Sequence, residues 1–207
     1  MCGITSLEDI NTINELLPEY VGFVFYEKSK RYITPDKAKE LKLKLDKRIQ
    51  AVGVFLHEKA EAMAALASDG VIDIIQAHGC EEPEFVREIK KLTDVPVIQA
   101  FKTNKKEDIL RAVESPAEYI LVDSSLGSGE MMDIEILKDF PRPFFLAGGL
   151  NPENVSTVID AVHPEVVDVS SGIETDGKKD PEKMRAFMQA VKGTQILCEA
   201  LPFFFQQ

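Results

Sequence analysis

Apolar and polar positions along the chain keep two rhythms in turn. Short runs of consecutive apolar, largely β-branched residues cover 21–25, 51–55, 72–76, 96–100 and 119–123, and two more open the stretches 144–152 and 166–174. Between them lie segments with helical spacing: one from Ser6, then 34–45, 59–67, one from Glu82-Pro83, 105–113, 134–137, 151–161 and 181–191. Strands that are apolar at successive positions are buried on both faces, as in a parallel sheet covered by helices. Strict strand–helix alternation predicts an α/β fold, either a barrel or a doubly wound sheet. The strand count favours a single (β/α)8 TIM barrel over 1–207 if Cys2-Gly3-Ile4 is a very short or truncated first strand. A missing half-strand would leave neighbouring backbone groups unpaired. The apolar tail 201–207, with Phe203, Phe204 and Phe205, fits a barrel cap, an interface or an appended remnant equally well. No long linker or low-complexity segment marks a domain boundary.

Two strand ends stand out for their chemistry. In Val166-Val167-Asp168-Val169-Ser170-Ser171-Gly172-Ile173-Glu174 an apolar strand gives way to two hydroxyls and a glycine, and Asp180-Pro181 opens the next helix. Successive N–H groups in such a turn can form a nest for an anion. The preceding unit has the same form: Phe144-Phe145-Leu146-Ala147 runs into Gly148-Gly149 and then Leu150-Asn151-Pro152. Two consecutive βα turns of small residues suit one shared phosphate, held by Gly148, Gly149, Ser170, Ser171 and Gly172. The plainer alternative is a pair of tight turns that bind nothing.

Charge narrows the partners. With 35 acidic against 24 basic residues the net charge is −11, which argues against nucleic acid or an anionic membrane surface as a partner. A phosphorylated small molecule would need local donors, because long-range steering is weak. No apolar run has the length of a membrane span, and Met1-Cys2-Gly3-Ile4-Thr5 lacks the form of a signal peptide. Three cysteines, Cys2, Cys80 and Cys198, are odd in number and lack metal-ligand spacing, so a reduced cytoplasmic protein without a metal is expected.

The chain resembles the phosphoribosylanthranilate isomerases of tryptophan biosynthesis along its length apart from the two termini. The likeness rests on Cys2-Gly3-Ile4-Thr5, Gly22-Phe23-Val24-Phe25 with Ser29-Lys30-Arg31-Tyr32-Ile33, and Gly53-Val54-Phe55. It continues through Gln76 with His78-Gly79, Val122-Asp123 with Gly127-Ser128-Gly129, Gly148 to Asn154, and Asp168 to Glu174. Two departures occur: Ala77 stands where the family usually has leucine, and Met132-Asp133-Ile134 replaces Phe-Asp-Trp.

The resemblance implies an Amadori rearrangement of N-(5′-phosphoribosyl)anthranilate to 1-(2-carboxyphenylamino)-1-deoxyribulose 5-phosphate. It implies Cys2 as general base for the ribose C2 proton and Asp123 as general acid for the ring oxygen. No cofactor is implied, since the substrate nitrogen is the electron sink. Arg31 is implied to contact the anthranilate carboxylate, to which arginine offers a planar fork. Gln76 and His78 are implied in the pocket wall, and Gly127 and Ser128 lie in a loop whose glycines suit a lid. A thiol base must be ionised, which at a free pKa of about 8.5 needs a nearby cation or oriented N–H groups. An acid working at neutral pH needs burial or a neighbouring anion. Two alternatives stand beside this one. One is a catalytically impaired barrel that only binds phosphate. The other is a related sugar-phosphate enzyme such as indole-glycerol-phosphate synthase, which needs a lysine on a strand end. The oligomer is expected to be a monomer or a homodimer.

Overall fold

The computed structural model describes residues 1–79, 82–102, 106–124 and 134–199. Seven strands, β1 (Tyr20–Val24), β2 (Gln50–Leu56), β3 (Ile74–His78), β4 (Val97–Lys102), β5 (Tyr119–Asp123), β6 (Phe145–Ala147) and β7 (Val166–Asp168), form one sheet in sequence order. Every pairing is parallel. The helices α1 (Leu7–Leu16), α2 (Pro35–Lys42), α3 (Ala60–Ser68), α4 (Pro83–Leu92), α5 (Lys106–Val113), α6 (Val155–Val162) and α7 (Pro181–Glu199) alternate with the strands, and a 3-10 turn (Ile134–Leu137) stands between β5 and β6.

Helix starts follow the expected chemistry. Ser6 accepts from the Asp9 N–H while the Asp9 carboxylate accepts from the Ser6 N–H, a reciprocal capping box. The Asp180 carboxylate accepts from the N–H groups of Glu182 and Lys183, with Pro181 as the first helical residue. Among the boundaries that differ from the pattern, two bear on the sheet and its cover. β3 begins at Ile74 instead of residue 72, because Ile72 is buried in the approach to the strand and Asp73 is drawn back to accept from the Ala51 N–H at 2.8 Å. α7 runs past residue 191 to Glu199.

Two apolar cores sit on opposite faces of the sheet. The larger packs sheet against helices and includes Phe23, Phe55, Ile75, Phe101, Val122 and Leu146. The smaller holds Val52, Ile74, Ile98, Ala100, Leu121 and Phe145, with Tyr20 and Tyr119 against it. Successive strand residues face opposite sides, so every second residue of each strand points into this inner cluster. Tyr20, Phe145 and Tyr119 form an aromatic floor, with ring centroids 5.5 and 5.4 Å apart along the series. The polar members of the same face, Gln76, His78, Lys102, Asp123 and Asp168, follow toward the C-terminal strand ends.

The first residues pair on both sides. Gly22 N–H donates to the Met1 carbonyl at 2.9 Å, and the N–H groups of Gly3 and Ile4 donate to the Gly22 carbonyl. On the other side, Cys2 N–H donates to the Val169 carbonyl at 2.9 Å. Residues 1–4 therefore join β1 to the end of β7, the two edges of the seven-stranded sheet. Among the described residues no helix is long and apolar enough to cross a membrane. The tail 201–207 lies outside the described residues.

Candidate active site

The inner-face alternation delivers Cys2, Gln76, His78, Asp123 and Asp168 to one end of the sheet. Cys2 pairs with Gly22, where a Cβ would come 2.8 Å from Cys2 Sγ and 3.1 Å from Cys2 Cα. Only a residue without a side chain leaves the thiol this space. A cavity of about 30 Å³ beneath it is lined by Cys2, Gly22, Gln76 and Asp168 among others. That is room for a water molecule and for no larger group.

Burial first, then the Asp168 carboxylate, pushes the Cys2 thiol up to about 12. The Met1 amino group, Lys179 and Arg31 pull it down, with smaller effect. The cations expected beside Cys2 are thus present, but desolvation of the thiolate outweighs them. Burial lowers the His78 pKa, Lys102 acting the same way, while Asp123 and Asp168 oppose it. His78 Nε2 lies 2.6 Å from Gln76 Oε1. An amide oxygen only accepts, so this contact places the imidazole proton on Nε2 and leaves Nδ1 as an acceptor. Gln76 is 4% exposed, buried on the inner face of the sheet.

Asp123 ends β5, in register with Lys102 of β4 and Ala147 of β6. The next residue, buried Ser124, donates its N–H and its hydroxyl to the Ala147 carbonyl, both at 2.9 Å, and this fixes the strand end. Asp168 charge acts on both Cys2 and His78, and Asp123 charge acts on His78. These groups therefore share one electrostatic environment. The sequence reading assigned no role to Asp168. The signal was a carboxylate at the end of an otherwise apolar strand, as at Asp123.

Arg31 lies in a loop that returns to β1 through a bridge between Val24 and Tyr32, with the Ser29 hydroxyl accepting from the Arg31 N–H. Its stem packs on Gly3, which has φ 79° and where a Cβ would come 2.4 Å from Arg31 Cδ. The guanidinium makes a two-pronged pair with Glu174, Nε to Oε1 at 2.6 Å and Nη2 to Oε2 at 2.8 Å. Glu174 also accepts from Lys179 Nζ at 2.7 Å. These donors overcome burial and hold the Glu174 carboxyl at about 2. Glu174 and Lys179 face each other across a short antiparallel hairpin, β8 (Glu174–Thr175) and β9 (Lys178–Lys179). Its turn residues Asp176 and Gly177 both have positive φ, 52° and 75°, the geometry of an Asp-Gly two-residue hairpin. The pattern of apolar positions missed this hairpin, although Asp176-Gly177 signals it.

The two small-residue turns meet. Gly148 and Gly149 take φ of 103° and 65°, which turns the chain sharply after β6. Asn151 Oδ1 accepts from the Glu153 and Asn154 N–H groups, and Asn154 Nδ2 donates to the Gly149 carbonyl at 3.0 Å. These bonds occupy the expected helix start at Asn151, and regular helix begins only at Val155. Ser170 precedes a 3-10 turn (Ser171–Ile173) in which a Cβ at Gly172 would come 1.9 Å from the Leu150 carbonyl oxygen. The turn after β7 thus lies directly on the turn after β6. Gly127, Ser128 and the departure at Met132-Asp133 lie outside the described residues. Among the described residues no group of three or more His, Cys, Asp or Glu could hold a metal ion.

Residues 1–190 match the family model described as N-(5'phosphoribosyl)anthranilate (PRA) isomerase. The N-(5'-phosphoribosyl)anthranilate isomerase of Thermoanaerobacter sp. (strain X514) is 40% identical, the match covering 93% of this chain and 97% of that one. The crystal structure of the Thermotoga maritima phosphoribosyl anthranilate isomerase is 39% identical and superposes with a TM-score of 0.84, over 93% of this chain and 97% of that one. A further structure of such an isomerase, in complex with reduced 1-(o-carboxyphenylamino)-1-deoxyribulose 5-phosphate, is 40% identical with a TM-score of 0.80, over 93% and 96%. Sequence, fold and length agree, and the chain belongs to the N-(5'-phosphoribosyl)anthranilate isomerase family.

Proposed function

We propose that Cys2 and Asp123 carry the chemistry of this chain, with Cys2 as general base and Asp123 as general acid. The activity is the isomerisation of N-(5'-phosphoribosyl)anthranilate in tryptophan biosynthesis. Asp123 gives a proton to the ribose ring oxygen as the C1–O bond breaks, and the anilino nitrogen supplies the electron pair that forms the iminium. Cys2 Sγ then takes the C2 proton, and the C2–H electrons flow into the iminium to give an enolamine. Tautomerisation yields the ketose, so atoms and electrons balance without a cofactor. The perturbed thiol fits this order of events. In the free site burial and Asp168 hold the Cys2 thiol high. The iminium cation formed beside it favours the thiolate, and the thiol proton passes through solvent to the Asp123 carboxylate left by ring opening, so that Sγ is free to take the C2 proton and Asp123 regains its acid form.

The single observation that supports the assignment most strongly is the Cys2 segment itself, bonded to β1 on one side and to Val169 on the other. Rigid support of this kind is what a base needs. Arg31 contacts the anthranilate carboxylate, and Gln76 and His78 form the wall. The N–H groups of Gly148, Gly149, Ser170, Ser171 and Gly172 hold the phosphate, supported by the close packing of their two turns. The seven strands with residues 1–4 make a closed (β/α)8 barrel, whose site lies at the C-terminal strand ends. The whole of 1–207 is one domain, cytoplasmic, working as a monomer or a homodimer. Lys102 ends β4 beside Asp123, the strand-end lysine that the synthase would need, but the family model and the relatives are isomerases and favour neither the synthase nor the impaired barrel.

Turnover is read by loss of phosphoribosylanthranilate fluorescence with the unaltered protein and with Cys2→Ala. The variant should lose activity by orders of magnitude and still bind a phosphorylated product analogue. Full activity in Cys2→Ala removes the base.

A further inference from the structure

Lys179 has no part in the chemistry above, yet it sits at the centre of the site's polar framework. Its side chain is 2% exposed. It donates to Glu174 Oε1 at 2.7 Å, to the Ser170 carbonyl at 2.8 Å and to Ser170 Oγ at 3.4 Å. Two of these acceptors lead on to different parts of the site. Glu174 carries the two-pronged pair to Arg31. The Ser170 hydroxyl donates to the Cys2 carbonyl at 3.1 Å. A buried ammonium is expensive unless paired and hydrogen-bonded, and a charge placed here ties together three chain segments.

We propose that Lys179 is a positioning residue for the isomerisation: it holds Glu174 against Arg31 and Ser170 against the Cys2 carbonyl, so that base and carboxylate-binding arm keep one fixed separation. The proposal rests on Cys2 and Arg31 having the roles assigned above. Hydrogen-bond chemistry explains why a lysine serves. Its three donors satisfy a carboxylate, a carbonyl and a hydroxyl at once. Two cations against one carboxylate leave the cluster of Arg31, Glu174 and Lys179 with one uncompensated positive charge. That excess suits an anionic substrate and the thiolate of Cys2. The charged groups acting on Cys2 are Asp168, the Met1 amino group, Lys179 and Arg31, so removal of Lys179 takes away one of the cations that oppose Asp168.

The test is Lys179→Met, read in two assays. Steady-state turnover should show kcat/KM lower by about 10- to 100-fold, with kcat and KM both affected. The pH profile of Cys2 alkylation by iodoacetamide, followed by peptide mass, should move to higher pH. Glu174→Gln keeps the lysine and loosens Arg31, so it should raise KM more than it lowers kcat. Should Lys179→Met fail to fold, Lys179→Gln is read in the same assays. A folded Lys179 variant with the unaltered alkylation profile and unaltered kcat/KM overturns the proposal. Cys2→Ala is measured alongside. If it is inactive while the lysine variant behaves as the parent, the positioning role alone is lost. If it is fully active, the assignment beneath it is lost instead.

Discussion

Gly22→Ala is the sharpest perturbation of the base that removes no reacting group. The added methyl would stand 2.8 Å from Cys2 Sγ, 3.1 Å from its Cα and 3.2 Å from its Cβ. Carbon atoms rest at about 3.5–4.0 Å, so Cys2 has to retreat by roughly 0.5–1 Å. It cannot do so freely, because its N–H is bonded to Val169 and the Gly22 N–H is bonded to Met1. Overpacking of this kind costs about 1–3 kcal/mol of stability. A base displaced by about 1 Å loses on the order of 100-fold in rate. We therefore expect kcat to fall by about 10- to 100-fold. KM should change less than kcat, since Arg31 and Ser170 touch the Cys2 segment through Gly3 and the Cys2 carbonyl and not through the thiol. The assay is fluorescence turnover over a substrate range, with a melting curve to confirm the fold. A folded Gly22→Ala protein with the parent kcat would refute the placement of Cys2 as base.

Three further outcomes are expected. Gly172→Ala, whose Cβ would come 1.9 Å from the Leu150 carbonyl oxygen, should part the two turns, weaken phosphate-analogue binding and lower stability by about 1–3 kcal/mol; unchanged inhibition by the analogue would count against the shared phosphate clamp. Arg31→Met should raise KM by about 10- to 100-fold, the worth of a charge-assisted hydrogen bond, with a smaller fall in kcat; a pure kcat effect would remove Arg31 from substrate binding. Glu174, held at about 2 against an ordinary 4.5, contributes stability in full above pH 4.5 that is lost as pH falls toward 2. Solvent screening at the hairpin limits that contribution to about 1–2 kcal/mol. Urea unfolding across this window should be flatter in Glu174→Gln, and parallel curves would show that the pair does not couple to folding.

Much of the site could be read from the chain because its elements are local. Asp123 closes an apolar strand, Arg31 sits in a basic turn, and the glycines at 148 and 149 follow β6 directly. Strand order follows from alternation as well, since parallel neighbours joined by helices leave few other arrangements. The hairpin was missed because two-residue strands carry no apolar period, and β3 was displaced by two residues because Ile72 and Ile74 are both buried. Which of two buried isoleucines, two positions apart, begins the pairing is settled by the neighbouring strand, not by the residues themselves.

The sequence by itself determined the α/β alternation, the seven strands of the sheet, the helix caps at Ser6 and Asp180, and the residue types available for proton transfer. Local periodicity and turn chemistry act within a few positions, so they are written in the order of residues. Tertiary structure alone decided that Arg31 meets Glu174 across 143 positions of chain and that Ser170 meets Cys2 across 168. It also decided that Cys2, despite three cations near it, stays protonated. Desolvation and long-range charge depend on what the whole fold brings around a group, and no stretch of sequence contains that sum.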